Sequence, residues 1–373
     1  MRNNSNKTIS SVMREFNGSS RRSFVGKATA GFLGLGFSGS LVTKVFARKG
    51  IEFDLANKNA AGDFISDKKF VPVMITPYRQ NGKIDFDGVS RLMDFYSAAG
   101  VKGFFANCSS SEMYNLSEDE RLALTRHVVK RVNGAVSVVA TGSFGNTAEE
   151  KAEFAKKIYN TGINGVITIT SHFAKADESD DVLIRNYEKF FELTDNIPMG
   201  TYECPSPYKR VLTPYTFKYL LGTGRMIYHK DTTIDFDKVK TKIELAKNNR
   251  LEFYDACVAN TMYSLQAGAK GISAICGNFY PEILVWMCNN STNPSKQEDV
   301  NYIQQQLTIT EDIIGQNYPL SAKYFLQKRG VPIEVISRTT PSPLTAQQKQ
   351  ILDDVYKTLL GWCKRIGIEP AHL

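Results

Sequence analysis

A short phrase of the form Gly-x-x-Gly recurs where the chain changes rhythm: Gly100-Val101-Lys102-Gly103, Gly162-Ile163-Asn164-Gly165 and Gly268-Ala269-Lys270-Gly271. The clearest case is the first. Before it, residues 85–99 place Phe86, Val89, Leu92, Met93 and Tyr96 on one helical face. After it comes Phe104-Phe105-Ala106, an apolar run that suits a buried strand. The leading glycine fits the left-handed position that ends a helix. The first two phrases lie 62 residues apart, room for two strand–helix units of roughly 30 residues each. A chain built on that repeating unit has few ways to close.

Eight strand candidates follow in order: 71–76, 104–106, 136–140, 166–169, 198–202, 226–230, 252–254 and 272–276. Ser117-Glu118-Asp119-Glu120 and Thr147-Ala148-Glu149-Glu150 are capping boxes that start two of the intervening helices, the second running to Thr161. The architecture expected is a (β/α)8 TIM barrel over 70–292. A C-terminal helical extension over 293–373 packs on it, with helices expected at 302–314, Leu320–Lys328 and Ala346–Ile366. An open, doubly wound α/β sheet is the alternative, but no glycine-rich phosphate loop follows the first strand. Gly34-Leu35-Gly36-Phe37-Ser38-Gly39 matches a dinucleotide pattern without the strand such a motif requires.

The formal charge is +8, and +6 of it sits in residues 1–47, where seven Lys/Arg face Glu15 alone. The rest of the chain is close to balanced, which argues against a nucleic-acid partner. The basic leader reads as a twin-arginine export signal: Ser20-Arg21-Arg22-Ser23-Phe24-Val25, a glycine-rich run, then Val45-Phe46-Ala47 as a cleavage site. Residues 48–69 read as a linker. Export to the periplasm without stable membrane insertion after processing is the expectation; an uncleaved anchor is the alternative. The six cysteines have no C-x-x-C spacing, and most suit buried free thiols. The four histidines have no metal-ligand spacing, so neither metal nor cofactor is expected.

In a barrel of this kind the site lies where the strands end. The sixth strand ends in Lys230-Asp231-Thr232. Burying an ammonium costs several kcal/mol unless it is paired or neutral, and a neutral amine can attack a ketone to form a Schiff base. The alternative is that Lys230 pairs with Asp231 or reaches solvent. The fifth strand ends in Tyr202, a phenol able to shuttle protons or simply to pack. The second is followed by Cys108-Ser109-Ser110-Ser111-Glu112, hydroxyls and turn amides suited to a carboxylate. Amine, phenol and hydroxyl cradle together are what Schiff-base chemistry on a 2-oxo acid needs.

At these residues the chain resembles the dihydrodipicolinate synthase / N-acetylneuraminate lyase superfamily, over about 70–360. The motifs are Ile75-Thr76-Pro77-Tyr78, Ser109-Ser110-Ser111-Glu112 with Leu116-Ser117, Tyr202 with Pro205, Lys230-Asp231-Thr232, and Gly268-x-x-Gly271 followed by Asn278 and Pro281. The resemblance implies Lys230 as the Schiff-base lysine, Tyr202 as proton shuttle, and Ser109 and Ser110 as ligands of the pyruvate carboxylate. Ser111, Thr232, His172, Phe173 and Ser273 are further expected substrate-binding positions. It also implies a homo-oligomer, a tetramer or a dimer.

Departures from the pattern narrow the substrate. Cys108 and Ser111 stand where the family has glycines. Ser171-His172-Phe173 replaces the synthases' tyrosine pair, removing the hydroxyl that reaches a neighbouring subunit's site. Pro207 stands where the synthases have an arginine. Val258 and Ala259 stand where sialic-acid lyases have acidic residues, leaving only Asp255 upstream. The expected activity is a pyruvate-releasing lyase or aldolase acting on a sugar-derived 2-oxo-3-deoxy acid. A dehydratase of a related acid and a non-catalytic oxo-acid-binding protein are the alternatives.

Overall fold

The computed structural model describes residues 66–373. The twin-arginine leader and most of the linker lie outside the described residues; Lys69, the linker's last residue, begins the first strand. Strands and helices alternate: β1 Lys69–Phe70, α1 Phe86–Ala98, β2 Gly103–Phe105, α2 Glu118–Val132, β3 Ser137–Thr141, α3 Ala148–Tyr159, β4 Gly165–Ile169 and α4 Asp180–Leu193. The second half continues with β5 Met199–Tyr202, α5 Pro214–Gly222, β6 Met226–Asp231, α6 Phe236–Ala246, β7 Glu252–Asp255, α7 Thr261–Ala267, β8 Gly271–Ile272 and α8 Pro281–Asn290. Three more helices follow: α9 Gln297–Gly315, α10 Leu320–Lys328 and α11 Ala346–Ile366.

All eight strands are parallel, each hydrogen-bonded to its sequence neighbour from β2 to β8, and β8 pairs with β1. A bridge from Val73 to Phe105 links the segment after β1 to β2 and closes the ring. The result is a (β/α)8 barrel with helices outside.

The glycine phrases mark where helix gives way to strand. Gly100, Gly162 and Gly268 have φ of 84°, 97° and 111°. The second glycine of the last phrase answers a different need: a Cβ on Gly271 would stand 1.8 Å from the Lys69 carbonyl oxygen, so β1 could not approach β8. Both capping boxes form. Glu120 N donates to Ser117 Oγ at 3.2 Å and Ser117 N to Glu120 Oε2 at 3.0 Å, and Thr147 and Glu150 repeat the exchange at 3.1 and 3.3 Å. Each such cap contributes about 1 kcal/mol.

Two strands differ from their apolar runs: the first forms at Lys69–Phe70, before the predicted 71–76, and the eighth stops at Ile272. In 71–76, Pro72 has no N–H to offer a ladder, yet the segment still threads between neighbours: Val71 N donates to Ile272 O at 3.0 Å and Phe105 N to Pro72 O at 3.1 Å. In 272–276 the chain leaves the sheet at once and coils into a 3₁₀ turn at Ile275–Asn278. The first of the three C-terminal helices also begins earlier than 302, at Gln297.

Aromatic rings fill much of the barrel. Phe105 meets Tyr202 and Tyr228 edge-on at 5.8 and 5.9 Å, and Tyr228 stacks on Tyr254 at 4.6 Å. Such pairs contribute about 0.5–1.5 kcal/mol beyond area burial. The C-terminal helices are bonded to the barrel. Gln304 of α9 accepts from Met262 N at 2.7 Å and donates to Val258 O at 3.0 Å. Buried Arg329 forks onto Glu282 of α8 at 2.6 and 3.1 Å. Five of the six cysteines are buried and all are free. Among the described residues, no helix is long and apolar enough to cross a membrane.

Candidate active site

Alternation along β6 builds the site. Successive side chains of a strand point to opposite faces, so Tyr228 and Lys230 enter the barrel while His229 and Asp231 face the helices. The His229 ring lies 4.9 Å from Phe217 of α5, and Asp231 is ion-paired with Lys242 of α6. Lys230 is 3% exposed. Its Nζ lies 4.3 Å from the centre of the Tyr202 ring and 5.9 Å from that of Phe105. Tyr202 and Lys230 are register partners across β5 and β6.

No carboxylate among the described residues pairs with Lys230; the titratable groups acting on it are the thiols of Cys108 and Cys204. Burial pushes the amine down to about 8. At pH 7 the neutral fraction is then roughly 300-fold larger than for an ordinary lysine. Burial also raises the Tyr202 phenol well above its usual value, so it is held as a proton donor. Pairing of Lys230 with Asp231 is ruled out by direction. Asp231 accepts from Thr233 N at 2.6 Å and meets His229 at 3.3 Å on the far side of the strand.

That far side holds a second buried cluster. Lys242 Nζ lies 2.7 Å from Glu203 Oε1 and donates to Thr233 at 3.1 Å, besides its ion pair with Asp231. Burial alone would lower Lys242, but Glu203 and Asp231 outweigh it and raise it. Burial would likewise raise Asp231, but His229 and Lys242 hold it well below the carboxylate range. The ligand atoms of Glu203, His229 and Asp231 lie within 4.8 Å of one another. The Lys242 ammonium already supplies the positive charge such a trio attracts.

The hydroxyl cradle follows β2. Ser109 and Ser110 lie on a single 3₁₀ turn, Ser109 half-buried and Ser110 buried close to Tyr318. Ser111 does not fit its expected role as a substrate ligand. Its hydroxyl contacts Met74 O at 2.7 Å and Ala106 O at 3.1 Å, and accepts from Cys108 N at 3.1 Å. It holds the loop's shape. Glu112 takes a left-handed backbone (φ 59°). Its carboxylate accepts from Lys323 Nζ at 3.0 Å, Ser337 Oγ at 2.8 Å, Arg338 N at 2.6 Å and Thr339 N at 2.9 Å. The C-terminal extension therefore clasps the cradle. Burial pushes Lys323 down to about 8 against the pull of Glu112.

The remaining expected ligands scatter. Thr232 Oγ1 donates to Glu203 O at 2.8 Å, tying β5 to β6. Ser273 Oγ donates to Val71 O at 2.9 Å and accepts from Tyr228 at 3.3 Å. Phe173 stacks on Tyr187 of α4 at 4.1 Å, away from Lys230. His172 bonds the Tyr114 hydroxyl at 3.1 Å. His172 and Phe173 help line a cavity of about 400 Å³ that includes neither Lys230 nor Tyr202.

Residues 67–359 match the family described as the Dihydrodipicolinate synthetase family. The chain belongs to this family. It is 26% identical over 287 residues to the 4-hydroxy-tetrahydrodipicolinate synthase of Oceanobacillus iheyensis, covering 77% of this chain and 95% of that one. The Bacillus subtilis enzyme of the same name is 24% identical over 287 residues, covering 77% and 97%. A crystal structure of a dihydrodipicolinate synthase superposes with TM-score 0.69 at 26% identity, covering 79% of this chain and 99% of that one. A Clostridium difficile protein crystallised with mannosamine shares the fold, with TM-score 0.69, 16% identity and coverage of 78% and 99%. Members of the family are synthases and lyases of the class I aldolase type.

Within that family frame, three residues around the cradle and Tyr202 escape sequence reasoning. Tyr318 lies beyond the barrel yet reaches Asn278 Nδ2 at 2.7 Å as well as Ser110. Cys204 and Tyr114 stand close to Tyr202 or its partners. The oddity of a cysteine two residues after the catalytic-type tyrosine was the only available signal.

Proposed function

We propose that this chain is a Schiff-base lyase that cleaves the C3–C4 bond of a sugar-derived 2-oxo-3-deoxy acid, releasing pyruvate and an aldehyde. The observation that supports it most is the Lys230 amine, buried without a counter-carboxylate among the described residues and facing the Tyr202 ring at 4.3 Å.

Lys230 attacks the C2 carbonyl, and loss of water gives an iminium. Tyr202, a neutral phenol, takes the proton from the C4 hydroxyl as it gives its own up to solvent. The C3–C4 bonding pair moves into the iminium, the aldehyde leaves, and an enamine remains. Protonation at C3 and hydrolysis release pyruvate and restore the amine. Ser109 and Ser110 receive the carboxylate. The covalent intermediate is its own electron sink, so the proposal includes no cofactor. Asp255 is turned outward to Ser264, so this side chain does not hold a sialic-acid tail.

The relatives named as synthases favour a second reading, condensation of pyruvate with an aldehyde through the same enamine. Phe173 weighs against lysine biosynthesis, since a phenyl ring relays no proton. Dehydration and mere binding share the covalent start. We place the mature protein in the periplasm as a homo-oligomer, a tetramer or a dimer. Replacing Arg21 and Arg22 by lysine should retain it in the cytoplasm.

The test is borohydride reduction in the presence of pyruvate. One pyruvyl adduct per chain is expected on the peptide containing Lys230. An adduct elsewhere, or none on folded protein, rejects the reading. Pyruvate release from a panel of 2-oxo-3-deoxy sugar acids then separates cleavage from binding, and failure to complement a diaminopimelate auxotroph separates it from the synthases.

A further inference from the structure

The cavity of about 400 Å³ beside Phe173 is walled by α3, the turn after β4, α4 and the segment after β5. Lys151 of α3 borders it and is 9% exposed. An ammonium has three hydrogens to donate, and Lys151 spends one on Asn146 O at 3.1 Å. No carboxylate among the described residues forms an ion pair with it. The acid that acts on it is Glu150, and that carboxylate is turned to the helix start, accepting from Asn146 N at 2.6 Å and Thr147 N at 3.3 Å. With a carbonyl and an acidic neighbour, Lys151 stays a cation and keeps donors to spare.

Two hydroxyls on the same walls are also unspent. Ser171 is 7% exposed, and its Oγ has no hydrogen-bond partner among the described residues. The Tyr208 hydroxyl is buried and likewise unpartnered. Burying such groups without partners is costly, so each calls for an explanation. The carboxylate in the lining, Glu178, closes back on its own loop by accepting from Lys175 N at 2.7 Å. Asn186 has already given its amide to Phe173 O at 2.6 Å. What remains around the cavity is a set of donors. α3 starts at its edge with Ala148, which adds the positive end of a helix dipole.

We propose that this cavity binds a small organic anion through Lys151, Ser171 and Tyr208, at a site separate from Lys230. The charged head is a carboxylate or a phosphate, since either accepts from an ammonium and two hydroxyls together. Water meets these donors one at a time; a single oxyanion meets all three. The volume exceeds what a bare head group fills, and Ala148, Phe173 and Ala174 supply apolar wall for the rest of the ligand. The site does not depend on the reaction proposed for Lys230.

The test is calorimetric titration of the protein with inorganic phosphate and, separately, with malonate, at constant ionic strength. One saturable site per chain is expected for at least one of them. Phosphate alone marks a phosphate-bearing ligand, malonate alone a carboxylate, and both mark the shared chemistry. Lys151→Met should weaken binding at least about tenfold, the lower end for a hydrogen bond to a charged group. The bound anion should raise the melting temperature of wild type and leave that of Lys151→Met unchanged. Ser171→Ala and Tyr208→Phe keep the charge and should each weaken binding about 2–10-fold; they carry the test if Lys151→Met fails to fold. All three variants should still trap pyruvate on Lys230 with borohydride. No saturable binding of either anion would overturn the site, as would undiminished binding in a folded Lys151→Met or in both hydroxyl variants. Loss of trapping in all three would make the cavity part of the catalytic centre and overturn its independence. Absence of trapping in wild type would sink the lyase reading alone.

Discussion

Lys230 and Lys242 occupy opposite faces of one strand wall, at 3% and 1% exposure. They differ in company. Lys242 lies between Glu203 and Asp231 and is held as a cation; Lys230 meets rings and thiols and is pushed toward the free amine. Burial alone therefore does not decide what a lysine does. A buried lysine with carboxylates fastens a structure. A buried lysine without them is a nucleophile, and the protein bears the instability of holding it.

The largest effect should come from breaking the chemical half of that contrast. Lys230→Arg retains a charge but forms no imine, so the adduct should vanish and turnover should fall by at least about 10³-fold, checked by mass spectrometry and a pyruvate-release assay. Tyr202→Phe should still trap, more slowly, and lose about 10²–10⁴-fold in turnover.

Breaking the structural half should show in stability. Lys242→Met strands two buried carboxylates, a loss of about 3–5 kcal/mol in urea denaturation at pH 7. The folded fraction should still form the Lys230 adduct. Equal loss of adduct and stability would mean the two faces are not separable.

The pH dependence of stability sharpens the comparison. Native Lys230 loses its proton near pH 8, whereas an unfolded lysine keeps one to about 10.4. Between these values the unfolded chain binds more protons, so stability rises with pH. The penalty is full below pH 8, at roughly 3 kcal/mol, and disappears above about 10.4. Lys323 titrates near the same pH, so the quantity to measure is the difference between wild type and Lys230→Met. That difference should shrink as pH rises. The smallest effect belongs to Lys157, an exposed lysine bonded to Glu118 and Glu153 at 2.8 and 2.7 Å. Lys157→Ala should leave the melting temperature within replicate scatter, because water already screens such pairs.

The barrel was legible because its signals are local. Glycine punctuation, capping boxes and short apolar runs each act within a few residues. The strand ends were less so: Pro72 and the turn at Ile275 break ladders that hydropathy alone extends. Lys230 and Tyr202 could be read because a charged or phenolic residue at a strand end stands out against its run. Ser111 was misread because a serine in a cradle loop looks the same whether its hydroxyl faces a ligand or Met74 and Ala106. Lys323, Tyr318 and Arg338 were invisible as site residues. Their partners in the cradle lie some two hundred residues away, and nothing in their own neighbourhoods announces the meeting.

The clasp on Glu112 also sets an order of events in time. Glu112 and Lys323 are 211 residues apart, so a chain growing at 5–20 residues per second leaves the cradle without its cationic partner for roughly 10–40 s. Strands β3 to β8 are made within that interval, and the carboxylate beside the Ser109–Ser110 turn still lacks Lys323 when β8, the last of them, is complete at Ile272. The site is thus finished only after the barrel that carries it, and a nascent chain that stops short of α10 would carry Lys230 beside a cradle whose Glu112 lacks its cation.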